Sequence, residues 1–97
     1  MRVISRKPLK DFAAQAPSAN AELDAWYAEA TNAAWATPAD VKAKYGSASI
    51  LKDGRAVFNI RGNKFRLVVW INYGFSTIYV RFVGTHEEYD NIDAQTI

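Results

Sequence analysis

The apolar positions change period at Gly46. Before it they recur at helical spacing; after it they alternate with polar ones. Leu9, Phe12, Ala13 and Ala16 predict a helix from Ser5 or Arg6, with Pro8 in its first turn and Pro17 as its stop. Ser18 is the expected N-cap of a second helix over Ala19–Ala34, where Leu23, Trp26, Tyr27, Ala30 and Ala34 share one face. A pair joined by so tight a break reads as an αα-hairpin. "TPAD" at Thr37–Asp40 begins a third, short helix: Thr37 caps, Pro38 takes the first position and Asp40 completes a capping box. That helix ends near Tyr45, with Gly46 beyond it.

The alternating half predicts strands over Ser47–Leu51, Arg55–Arg61, Lys64–Ile71 and Ser76–Val83, after a short opening strand in "MRVIS". Gly62-Asn63 and Tyr73-Gly74 are the expected two-residue hairpin turns. The first turn pairs Asn59 with Arg66 and Phe58 with Leu67. Alternation then puts Ala56, Phe58, Ile60, Phe65, Leu67, Val69 and Ile71 on one wholly apolar face, joined by Ile78, Val80 and Phe82. The helices are its expected cover, which makes the chain one α+β domain over residues 1–97. The other face collects Arg55, Asn59, Arg61, Lys64, Arg66, Tyr79, Arg81 and Val83, with Val57, Val68 and Trp70. A final helical turn or tail is expected from about Glu87.

Charge sharpens the second face. The net charge of +2 says little, but Gly54 to His86 contains no Asp or Glu while holding Arg55, Arg61, Lys64, Arg66 and Arg81. With Tyr73-Gly74 as the turn, Arg66 falls opposite or near Arg81. Like charges across strands cost up to about 1 kcal/mol each, a strain that a bound phosphate would relieve. With no cysteine there is no disulfide frame or thiolate metal site, and no metal or cofactor is expected. No apolar run is long enough to cross a bilayer and no signal segment is evident, so a cytoplasmic protein is expected, without a membrane partner.

The chain's one histidine, His86, ends the last strand in "VRFVGTHEEYDNID", with Tyr89 following. Arginines bind phosphate bidentately, and Trp70 and Tyr79 among them could stack bases, which suits single-stranded RNA. RNA carries its own nucleophile, the 2′-OH. A protein need only align it, move two protons and stabilise the phosphorane charge. His86 has the intrinsic pKa for such work, Arg61, Lys64, Arg66 and Arg81 the charge, and Tyr89 a second proton or a grip on a base. From spacing alone, His86 is equally an ordinary surface or capping residue. A non-catalytic RNA- or ribosome-binding module would use the same face, as would a subunit docking an acidic protein.

"SASILKDGRAVFNIRGNKFRLVVWINY", "YVRFVGTHEEYDNID" and the opening "MRVIS" together resemble HigB-type toxins of bacterial type II toxin–antitoxin systems. The most specific stretches are Phe58–Leu67 and Gly84–Asp93. The resemblance implies the RelE-like fold, a small antiparallel sheet backed by N-terminal helices. It implies a ribosome-dependent mRNA interferase, an endoribonuclease that inhibits translation. It also implies neutralisation by a HigA-type antitoxin with a helix-turn-helix domain, operator DNA being bound only through that antitoxin. The implied site residues are Arg61, Lys64, Arg66, Arg81, His86 and Tyr89. With no second histidine, Lys64 or Tyr89 would take the other proton role.

Overall fold

The structure, a computed structural model, describes residues Met1–Ile97. Thr37 starts a helix for the reason its sequence gives. Its hydroxyl accepts from the Asp40 N–H, and the Asp40 carboxylate accepts from the Thr37 N–H, which satisfies two otherwise orphaned donors. This helix, α3 (Pro38–Lys44), follows α1 (Lys7–Gln15) and α2 (Asn20–Asn32). Ser18 does not cap α2. Pro17–Ala19 form a 3₁₀ turn closed by the Ala19 N–H on the Ala16 carbonyl, so Ala19 takes the cap position with no side-chain bond. Pro17 fixes the backbone in a tight turn, which draws Ser18 into that turn.

Five strands form one sheet. They are β1 (Arg2–Ile4), β2 (Ser49–Ile50), β3 (Arg55–Ile60), β4 (Phe65–Asn72) and β5 (Thr77–Thr85), in spatial order β1-β5-β4-β3-β2. β1 runs parallel to β5 and every other pair is antiparallel. The β3–β4 register is the expected one: Phe58 faces Leu67 and Asn59 faces Arg66. The ladder ends at Ile60–Phe65, and the Lys64 N–H donates to the Arg61 carbonyl (3.2 Å) across the expected Gly62-Asn63 turn, with Arg61 (φ 54°) and Gly62 (φ 64°) in left-handed backbone. The β4–β5 turn is longer than expected by two residues: Asn72 pairs with Thr77, and the Asn72 side chain accepts from the Phe75 N–H. Adding two residues to a turn leaves the alternation intact, so the expected faces survive through Val80.

Beyond Val80 they do not. Val69 pairs with Val80, but Val68 pairs with Phe82, so Arg81 is an extra residue in β5. From that bulge onward the faces exchange. Phe82 lies beside Val68 on the face away from the helices, and Val83 turns to the helical core. The longer β4–β5 turn and the bulge together set Arg66 opposite Gly84 instead of Arg81, and the expected cross-strand pair of like charges does not form.

The helices cover the apolar face. Phe58 sits at the centre of an aromatic group, with Trp26 at 5.4 Å, Tyr45 at 5.1 Å and Trp35 stacked at 6.5 Å. The nitrogen of Met1 donates to the carbonyls of Ala30, Thr31 and Ala33 (2.8–3.1 Å), which ties β1 to the end of α2. The opposite face has a cover of its own. After a short helix, α4 (His86–Tyr89), the chain turns back so that Ala94 is buried on Val57 and Val68, with Leu51, Phe82, Tyr89, Ile92 and Ile97 around them. No helix is long and apolar enough to cross a membrane.

Candidate functional site

The candidate site lies where β3 and β5 end and β4 begins, because the antiparallel ladder brings those three termini together. The His86 N–H donates to the Lys64 carbonyl (3.0 Å), extending the β4–β5 ladder one step into α4. A capping box holds the corner: the Thr85 hydroxyl accepts from the Glu88 N–H (3.1 Å) and Glu88 Oε1 from the Thr85 N–H (2.8 Å). "THEE" carries that box in plain view, and it starts the helix at His86 instead of Glu87.

His86 Nδ1 lies 3.0 Å from Asp90 Oδ2, one helical turn on. The carboxylate lies on the Nδ1 side of the ring, and Nε2 makes no hydrogen bond within the chain. The Arg66 guanidinium lies 5.8 Å from the centre of the Tyr89 ring. It donates to the Phe65 carbonyl at 3.2 Å and is only 9 % exposed. Lys64 Nζ stands 5.6 Å from the Phe65 ring centre. Arg61 is on the exposed connection, whose backbone is held by its own N–H donating to Glu22 of α2 (2.8 Å). The fold thus brings Arg61, Lys64, Arg66, His86 and Tyr89 to one end of the sheet, with Asn59 beside Arg66. None of the three cations is paired with a carboxylate.

The remaining expected residues lie elsewhere. Arg55, Trp70 and Tyr79 form one row across the other end of the same face, where Trp70 and Tyr79 stack at 4.9 Å. Arg81, at the bulge, donates through Nε to the Ile97 backbone oxygen (3.2 Å), and Arg55 donates to the same oxygen. The expected open basic face is therefore divided by the segment that crosses it. Its apolar members, Val57 and Val68, are the cause: without a cover they would face water. The spacing of Ile92, Ala94 and Ile97 was the available signal for that cover. Asp90 was equally available, as a carboxylate four residues after a histidine in a helical turn.

On the helical side the Tyr45 hydroxyl donates to Glu29 (2.9 Å). Burial, then that bond and the Glu29 charge, push its pKa up. Burial and Asp40 raise Tyr73 in the same direction. No cluster of three or more His, Cys, Asp or Glu side chains is placed to hold a metal ion.

Over residues 19–92 the chain matches the family described as HigB toxin, RelE-like toxic component of a toxin-antitoxin system. It is 35% identical over 92 residues to the mRNA interferase toxin HigB of Escherichia coli (strain K12), covering 93% of this chain and 88% of that protein. The identity and coverage are the same for the mRNA interferase HigB of Shigella flexneri. The mRNA interferase HigB of Escherichia coli O6:H1 is 23% identical over 94 residues, 95% of this chain and 91% of that protein.

Proposed function

Because the chain belongs to the HigB family of RelE-like toxins, we propose that it is an mRNA interferase, a toxin whose action on messenger RNA is checked by an antitoxin. The observation that carries the chemistry is His86. Its Nδ1 lies beside the Asp90 carboxylate, its Nε2 has no partner in the chain, and Lys64, Arg66 and Arg61 lie at the same end of the sheet without carboxylate partners.

Cleavage proceeds by attack of a 2′-OH on its own adjacent phosphate. The 2′-O–P bond forms and the P–O5′ bond breaks, which leaves a 2′,3′-cyclic phosphate and a 5′-hydroxyl. His86 handles one of the two protons and Lys64 or Tyr89 the other. The nucleophile belongs to the RNA, and Arg61, Lys64 and Arg66 supply the positive charge, so the proposed step needs no metal ion. Lys64 and Arg61 meet the phosphate directly. Arg66 acts at short range from beneath Tyr89, where partial burial strengthens its field. Trp70 and Tyr79 supply a stacking surface further along the strand. Arg55 and Arg81 join them on releasing the Ile97 oxygen. The messenger is presented by the ribosome, the antitoxin is of the HigA type, and operator DNA is reached only through it.

Induced expression without an antitoxin is expected to arrest growth and to create new mRNA 5′ ends bearing hydroxyl groups. His86→Ala is expected to lower cleavage by about 10²- to 10⁴-fold, the usual worth of a positioned acid or base. Asp90→Asn, which keeps an acceptor but loses the charge, is expected to lower it less. Arrest with intact transcripts would overturn the cleavage mechanism in favour of a toxin that only binds.

A further inference from the structure

Three helices of this chain carry an acidic residue at their third position, and two of them use it alike. Asp40 in α3 and Glu88 in α4 reach back to the N–H of the capping residue. Glu22 in α2 does not. There the N–H of the cap, Ala19, already donates to the Ala16 carbonyl, which leaves the carboxylate without that partner. It turns outward instead and accepts from the Arg61 N–H at 2.8 Å, 39 residues along the chain.

Two features make that bond more than a surface contact. Arg61 holds left-handed backbone (φ 54°), which a residue with a Cβ takes reluctantly, and it is exposed, so packing does little to enforce it. The bond is also the first link of a chain of hydrogen bonds into the site. The Arg61 carbonyl accepts from the Lys64 N–H (3.2 Å), and the Lys64 carbonyl accepts from the His86 N–H (3.0 Å). Glu22 forms no ion pair, so it grips the turn by its backbone and leaves the Arg61 guanidinium and the Lys64 ammonium unneutralised. A carboxylate suits this task, because a charged acceptor makes a bond about twice as strong as a neutral one.

We propose that Glu22 is a positioning residue for cleavage: it fixes the turn that carries Arg61, and so sets where that cation meets the scissile phosphate. The inference rests on the RNA-cleavage function proposed above. The test measures single-turnover cleavage of ribosome-bound mRNA by Glu22→Ala, Glu22→Gln and Glu22→Asp, each alone and combined with Arg61→Ala. Misplacing a contributing group by about 1 Å costs up to about 100-fold in rate, and the loosened turn of Glu22→Ala is expected to cost about 10-fold. Glu22→Gln, which keeps a neutral acceptor, is expected to lose about 3-fold. Glu22→Asp keeps the charge that favours the start of α2 but is one methylene short of the Arg61 N–H. It is expected to melt like wild type and still lose about 10-fold. In the Arg61→Ala background each change is expected to cost less than about 2-fold, since the group being placed is gone. Equal losses in the two backgrounds would overturn the proposal, because a residue needed only for the fold costs the same in both. Losses that track a fall in melting temperature, or full activity in Glu22→Ala, would overturn it as well, although cleavage itself would then stand. A wild type that cuts no mRNA would instead overturn the function on which the positioning rests.

Discussion

Gly84 shows how closely the site is fitted to one residue. It faces Arg66, and a Cβ there would stand 2.6 Å from Phe82 Cζ and 2.8 Å from Glu88 Oε1. Neither neighbour is free to leave, because Glu88 caps α4 and Phe82 fills the second core. Gly84→Ala should therefore destabilise. Loss of a cap and local overpacking cost about 1–3 kcal/mol, against about 0.4–1 kcal/mol returned by a stiffer unfolded chain. Thermal unfolding should show a net loss of about 1 kcal/mol or more, and His86 should lose its fixed place with it. At this scale the sequence was partly legible. An only histidine between a strand and "EEYD" stands out, and so do cations in a stretch free of acids. That Arg66 would be nearly buried, and Arg55 and Arg81 occupied by a backbone oxygen, depended on a chain reversal whose one trace in the sequence is the spacing of Ile92, Ala94 and Ile97.

Among the elements, periodicity located α1, α2, the strands and the β3–β4 register, and capping signals located α3. It failed at the length of the β4–β5 turn, because a turn longer by two residues keeps the same alternation. It also failed at α2's start, where Pro17 outranked Ser18. Between α2 and α3, Tyr45 acts as a staple, with its ring on Phe58 and its hydroxyl on Glu29. Folding raises the Tyr45 pKa above its ordinary 10.0, so the folded chain holds that proton more tightly than the unfolded one. The resulting stability is fully present below the ordinary value and is lost as pH rises through the folded one. Denaturant unfolding at about pH 9 and about pH 11 should show this loss, and Tyr45→Phe, which keeps the ring but has no proton to lose, should reduce it.

Across the whole molecule, one sheet serves two cores of unequal size: the large one under the helices and a smaller one under residues 89–97. The cations that the sequence gathers on one face are consequently sorted into two groups. Arg61, Lys64 and Arg66 stand at the His86 end of the sheet, and Arg55 and Arg81 brace the crossing segment. The residue that divides β5 between the cores is Arg81. Its side chain is exposed, so Arg81→Thr should leave a cooperatively folding protein. Excising the position should be tolerated too: it removes the bulge and leaves the pairing as it is, with Val80 on Val69, Phe82 on Val68, Val83 on Leu67 and His86 in phase with Lys64. Such a protein should still unfold in one sharp transition on heating. Descendants of this sequence can thus rewrite or drop the eighty-first letter and keep both cores filled.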